Sequence, residues 1–187
     1  MAEKDKSNIA PTGTVEKFTT VLEFPVDLDS NPEAIIIHCD DPRFQNAFRN
    51  FIEGQQEKGC LELAQGKYVP IIIPGGISSL SEMDALPKHF KVTKEQIEFI
   101  LDHFHSVKVV ILINHEDCQA YESLREKIGT NTFLRSLRDM AERQKVDLSK
   151  VSKFLVKHFF TGTNFKLYFA KFANEQHTQV TFEEVTK

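Results

Sequence analysis

Long apolar runs are missing from this 187-residue sequence. Its longest blocks, at residues 34–37 and 107–113, fall far short of the ~20 residues that a membrane-spanning helix needs. The N-terminus, MAEKDKSNIAPTGT, has no apolar core of the kind a secretory signal carries. Three cysteines are too few for a disulfide scaffold. A reducing, cytoplasmic setting is therefore expected, with the thiols available for metal or chemistry. Basic excess is missing as well: 23 Lys and Arg against 27 Asp and Glu give a net charge of −4. That balance argues against nucleic acid or an acidic membrane as partner.

What is present describes one globular domain, because 41% apolar and 27% charged residues exclude disorder for the chain as a whole. Residues 1–24 are expected to form an N-terminal arm, mobile over 1–16, ahead of a domain at 25–187. Ala34-Ile35-Ile36-Ile37 is a β-branched block with the composition of a strand buried on both faces. Pro42 then stands where a first helical position is expected. Phe44, Ala47, Phe48, Phe51 and Ile52 follow at i, i+3, i+4, i+7 and i+8, one apolar helical stripe. A second strand at 68–73 runs into Pro74-Gly75-Gly76. A helix at 93–106 with Thr93 as its N-cap leads to a third buried strand at 107–113. Helices are expected at 117–128 and 132–144. Alternating residues at 153–160 and 165–172 around Thr161-Gly162 predict a closing β-hairpin.

That order predicts an α/β fold, a mostly parallel β-sheet flanked by helices with a C-terminal β-hairpin. Ligands in such sheets sit beyond the carboxyl ends of the strands. Here those ends carry His38-Cys39-Asp40-Asp41, Pro74-Gly75-Gly76 and Asn114-His115-Glu116-Asp117-Cys118.

Cys39, His115 and Cys118 supply two sulfurs and one imidazole, a donor set suited to Zn²⁺. Three protein ligands leave one position open, as catalytic zinc sites do. Taken singly, a cysteine at a strand end is more often a small core residue, and His-x-x-Cys alone is weak. The two motifs at equivalent strand ends outweigh that reading. Asp41 and Arg43 form a second pair beside Cys39. Arg43 can hold Asp41 ionised with a forked pair of hydrogen bonds, and Asp41 can accept from water on the metal. Helix capping alone would explain Asp41, but a guanidinium near a helix N-terminus is disfavoured and needs another reason.

Cys-x-Asp-x-Arg at 39–43 followed by His-x-x-Cys at 115–118 resembles the β-class carbonic anhydrases, over about residues 34–172. The resemblance implies a zinc enzyme that hydrates CO₂ reversibly to bicarbonate through zinc-bound hydroxide. It implies Cys39, His115 and Cys118 as zinc ligands and Asp41 with Arg43 as a catalytic dyad. It also implies a homodimer or higher oligomer whose N-terminal arms embrace the partner. Two departures stand out. Gln119 occupies a position that is usually Gly, and Ile73-Pro74-Gly75-Gly76 replaces an Arg-Asn-Ala-Gly-like run, with Gly76 alone fitting. Gly75 and Gly76 are expected beside the substrate pocket, where a residue without Cβ allows close backbone approach.

Elsewhere, His38 should point to the opposite face of its strand from Cys39, and Cys60 reads as a free thiol. Surplus phenylalanines in the expected hairpin, such as Phe154, Phe159 and Phe160, suit an oligomer interface. Three functions compete: a CO₂-hydrating lyase or a COS/CS₂ hydrolase on the same site, a non-catalytic zinc-binding dimeric scaffold, and a thiol redox protein using Cys39 and Cys118. The last lacks Cys-x-x-Cys and leaves Asp41 and Arg43 without a task.

Overall fold

In a computed structural model, residues 24–54, 59–128, 140–159 and 163–186 are described. Nearly all of the expected N-terminal arm, the segment 129–139 and the Thr161-Gly162 turn lie outside them.

The β-branched runs become the middle of the sheet. β1 (Ala34–His38) is buried along its whole length, because β2 (Tyr68–Ile72) and β3 (Val109–His115) flank it, both parallel. β4 (Asn164–Phe172) continues the parallel order beside β3, and β5 (Val180–Glu184) closes the sheet antiparallel to β4. The order is β2-β1-β3-β4-β5. β2 lies at the edge, which is where Pro70, having no N–H to donate, is tolerated.

Helices cover both faces. On one, Ile35, Ile37, Val110, Leu112 and Leu167 pack with Ile97 and Ile100 of α3 (Pro87–His103) and with Leu148, Val151 and Leu155 of α5 (Met140–His158). On the other, Ala34, Ile36, Ile111 and Ile113 pack against Phe44 and against Phe48, Phe51 and Ile52 of α1 (Gln45–Glu53). Successive strand residues thus serve opposite cores, the period-2 alternation of a sheet buried on both sides. Two further helices, α2 (Ser78–Ser81) and α4 (Gln119–Ile128), follow the ends of β2 and β3. No described helix is long and apolar enough to cross a membrane.

The structure corrects the expectations in four places. Residues 153–158 are the last turns of α5 rather than a strand. Leu148, Val151, Ser152 and Leu155 are buried at helical spacing, and this longer periodic run overrides the local alternation. The C-terminal antiparallel pair is real but consists of β4 and β5. Second, α3 begins at Pro87, well before Thr93, whose side chain is buried within the helix and hydrogen-bonded to Ser79 at 3.1 Å. Third, Pro42 opens a turn, with Phe44 N–H donating to Asp41 O at 3.2 Å, and α1 starts at Gln45. Fourth, some of the surplus phenylalanines have partners within the subunit, Phe154 packing against Phe90 and Phe159 and Phe172 lying 5.2 Å from Phe44, while Phe160 lies outside the described residues.

A buried polar cluster ties α5 to α2. Arg143 Nη2 donates to Glu82 Oε1 at 2.8 Å, Ser81 Oγ to Asp147 Oδ2 at 3.3 Å, and Lys150 Nζ to Ser81 O at 2.6 Å. Burial pushes the Asp147 carboxyl up to about 6, the charge of Arg143 offsetting this only in part. The folded state therefore holds this proton more tightly than the unfolded chain does. Asp147's contribution to stability accordingly falls as pH rises from about 4 to about 6. Asp147→Asn keeps an acceptor for Ser81 and removes the titration. Urea melts of the variant are expected to gain on the parent by on the order of 1–3 kcal/mol between pH 4 and pH 7.

Candidate metal centre

The parallel register places the carboxyl ends of β1 and β3 side by side, His38 pairing with Ile113. Cys39 leaves β1 one residue later, His115 ends β3, and Cys118 precedes α4. All three are buried, and their ligand atoms lie within 4.8 Å of one another, a group that could hold a metal ion. The two sulfurs are 3.8 Å apart.

His115 supplies the most telling atom. Its Nδ1 lies 2.8 Å from Glu116 O, and a carbonyl can only accept, so Nδ1 carries the hydrogen. That leaves Nε2 as a bare lone pair, buried and without a hydrogen-bond partner. Phe44 packs against the ring, tilted by 39° with centroids 4.2 Å apart. A buried unpaired nitrogen is destabilising by about 1–3 kcal/mol unless something occupies it. An imidazole whose other nitrogen donates to a carbonyl is also the usual arrangement of a metal-ligating histidine.

Around the sulfurs the surroundings favour negative charge. Gly75 N–H donates to Cys39 Sγ at 3.3 Å. Donation from the Cys118 thiol holds Cys39 well below the ordinary thiol range, burial opposing it, and the same pairing pushes Cys118 up.

Gly75 and Gly76 contribute backbone to the site. Both have positive φ, +73° and +53°. A Cβ on Gly76 would stand 3.2 Å from both Cys39 N and Asn114 Oδ1, and one on Gly75 would collide with Ser78 Oγ. Side chains larger than hydrogen would therefore push this turn off the Cys39 sulfur. Neither glycine is among the residues bordering the adjoining cleft of about 470 Å³, which are Cys39, Asp40, Asp41, Pro42, Arg43, Gln119 and Ala120.

Asp41 and Arg43 are paired as the motif led one to expect. Nε of Arg43 lies 3.1 and 3.2 Å from the two Asp41 oxygens, and Nη2 lies 2.7 Å from Oδ2. Hydrogen bonding from Arg43 holds the Asp41 carboxyl below the usual carboxylate range. Asp41 Oδ1 also accepts the Arg43 backbone N–H at 3.0 Å, so it caps the turn as well as binding the side chain. At neighbouring Asp40, burial and then the charge of Cys39 push the carboxyl up.

Two neighbours of the site were not foreseen in these roles. Asp117 takes a share of Arg43, its Oδ2 accepting from Nη1 at 2.7 Å and its carbonyl from Nη2 at 2.9 Å. Tyr121 is fully buried against both sulfurs, and its hydroxyl accepts from Asn114 Nδ2 at 3.1 Å. Helical spacing from Cys118 is the one sequence signal that could have found Tyr121. Glu116 instead ties β4 to the end of β3, accepting the Phe172 N–H at 2.9 Å. His38 lies on the other face of the strand as expected, packed at a tilt against Phe48 and bonded to Cys39 O at 2.9 Å.

No protein-family model matches the sequence, and no curated protein does. Solved structures do match. The carbonic anhydrase from Streptococcus mutans aligns with a TM-score of 0.50 at 15% identity, over 87% of this chain and 88% of that one. Tetrameric β-carbonic anhydrases from Sordaria macrospora give 0.49 at 16% identity, over 84% and 82%. A carbon disulfide hydrolase in its apo form gives 0.48 at 15% identity, over 84% and 80%. The likeness is one of fold, and the sheet order, the flanking helices and the C-terminal antiparallel pair together make this the β-carbonic anhydrase fold.

Proposed function

We propose that the chain is a zinc-dependent, carbonic anhydrase-like lyase that converts CO₂ and water to bicarbonate reversibly. The observation that carries the reading is the convergence of two sulfurs 3.8 Å apart on a histidine nitrogen with no other partner. Two thiolates bound at about 2.3 Å in a tetrahedral shell stand about 3.8 Å apart, so the cysteines already have the spacing zinc requires. Cys39, His115 and Cys118 would hold the ion and leave one position open. Zinc bound there supplies Lewis acidity, which brings the pKa of water toward neutrality.

The remaining chemistry belongs to the chain. Asp41 stays ionised beside Arg43 and would accept a hydrogen bond from water at the mouth of the cleft, the proton released in the reaction passing to solvent. Arg43 fixes the direction of that carboxylate. The cleft wall carries Asp40 and Asp41 against the one cation Arg43, a balance that leaves neutral CO₂ unopposed and disfavours retention of an anionic product. Gln119 adds an uncharged amide to the wall.

A zinc-binding scaffold without catalysis is the second reading, and it rests on Gln119 standing in the cleft. We also propose a homodimer or higher oligomer, since Phe24, Val26 and Leu28 are exposed large apolar side chains and β2 is the edge strand of the sheet among the described residues.

Stopped-flow CO₂ hydration on protein of verified zinc content tests the reading. Two thiolates leave more negative charge on the metal than three imidazoles, so activity is expected to be higher at pH about 9 than at about 7. Absence of CO₂ turnover at both pH values with zinc fully bound overturns the CO₂ lyase, and absence of COS and CS₂ turnover as well leaves the scaffold. COS and CS₂, offered to the same sample, decide the substrate among CO₂-like molecules.

A further inference from the structure

We propose that Asp117 is a positioning residue, which fixes the Arg43 guanidinium in the plane that orients Asp41 over the cleft. The inference rests on the lyase reading for its catalytic consequence, but its geometry stands independently. Arg43 meets Asp41 along one edge, through Nε and Nη2, and Asp117 along another, through Nη1 to Oδ2 at 2.7 Å and Nη2 to the carbonyl at 2.9 Å. A planar group held on two edges has its orientation determined, whereas the Asp41 contact alone would leave one end of the fork loose. Asp117 lies between His115 and Cys118, so the same guanidinium spans the two loops that deliver the three metal-ligating side chains.

Magnitudes separate positioning from stability. The Arg43 and Asp117 side chains are 44% and 46% exposed, and ion pairs that open to water add little to folding. The backbone is nonetheless committed to the contact, with Asp117 at φ +55°. Asp and Asn enter that region more readily than most residues, and Gly enters it freely. Asp117→Asn and Asp117→Gly therefore preserve the loop while removing the charge or the whole side chain.

The test uses the zinc-loaded full chain and three readouts: kcat with KM, the melting temperature, and water exchange of the Arg43 Nε–H observed by ¹⁵N NMR. Asp117→Gly is expected to lower kcat about 10-fold with KM within about twofold, as loss of a supporting partner does. The Nε–H should exchange several-fold faster, while the melting temperature moves by under about 2 °C. Asp117→Asn, keeping an acceptor, should fall between variant and parent. In an Asp41→Asn background the Asp117→Gly change should add nothing, because the two act through one guanidinium. Unchanged kcat, or an equal fall in that background, overturns the proposal. Should the zinc-loaded parent show no turnover, the lyase reading has failed separately. The Nε–H exchange then decides alone, and an unaltered rate in Asp117→Gly overturns the positioning role.

Discussion

Replacing His115 with alanine is expected to yield a folded protein that no longer retains zinc, whereas Cys60→Ser retains it in full. Zinc held by a complete four-ligand shell in a small domain gains about 10–16 kcal/mol, or about 2.5–4 kcal/mol per ligand. Loss of one ligand therefore weakens binding by roughly 10²–10³-fold. Nε2 is the natural choice for the largest effect, since it is buried and bonded to nothing else. Cys60 lies outside the group and serves as the control. Zinc per chain, measured after dialysis against a weak chelator, reads the difference directly. A second signature follows from linkage: a ligand that binds only the folded state raises its melting temperature. Chelator should lower the melting temperature of the parent and leave that of His115→Ala unmoved. Parent-level zinc in His115→Ala would sink the proposed metal centre.

That centre was legible in the sequence because two short patterns each carry a long-range consequence. A continuous β-branched run such as Ile35-Ile36-Ile37 can be satisfied only inside a sheet covered on both faces, and neighbouring parallel strands end at the same level. Once β1 and β3 are neighbours, Cys39 and His115 must meet, and the turn to α4 brings in Cys118. Asp41 and Arg43 were legible for a different reason, being two residues apart and of opposite charge. Asp117 was not, because its bond to Arg43 crosses 74 positions between two exposed loops and depends on a left-handed backbone at one of them.

The C-terminal third shows where local pattern misleads. Lys153-Phe154-Leu155-Val156 reads with period 2 over a short window, and the same residues read with period 3.6 once Leu148 and Val151 are included. Burial of Leu155 against the β1 and β3 face decides for the helix. Thr93 misled similarly: its hydroxyl suggested a helix start, yet Ser79, distant in sequence, gives it a buried partner inside one. Hydroxyl and alternation signals are local, and tertiary contacts overrule them.

Asp41→Asn is the variant that separates metal binding from catalysis, and it is expected to keep zinc while losing turnover by about 10²–10³-fold. The reason lies in donor polarity rather than size. Both Asp41 oxygens accept from Arg43. An asparagine in that place must turn its carbonyl toward the guanidinium, because its NH₂ would face other donors. The NH₂ is then left toward the cleft, where it donates a hydrogen bond to water instead of accepting one. Arg43 remains anchored on Asp117, so the loop stays in place. Full zinc content, an unshifted melting curve and lost CO₂ hydration together would place Asp41 in the chemistry. Parent-level turnover in Asp41→Asn would remove it, and the hydrogen-bond acceptor for the water would then have to be sought at Asp40, the other carboxylate in the cleft wall.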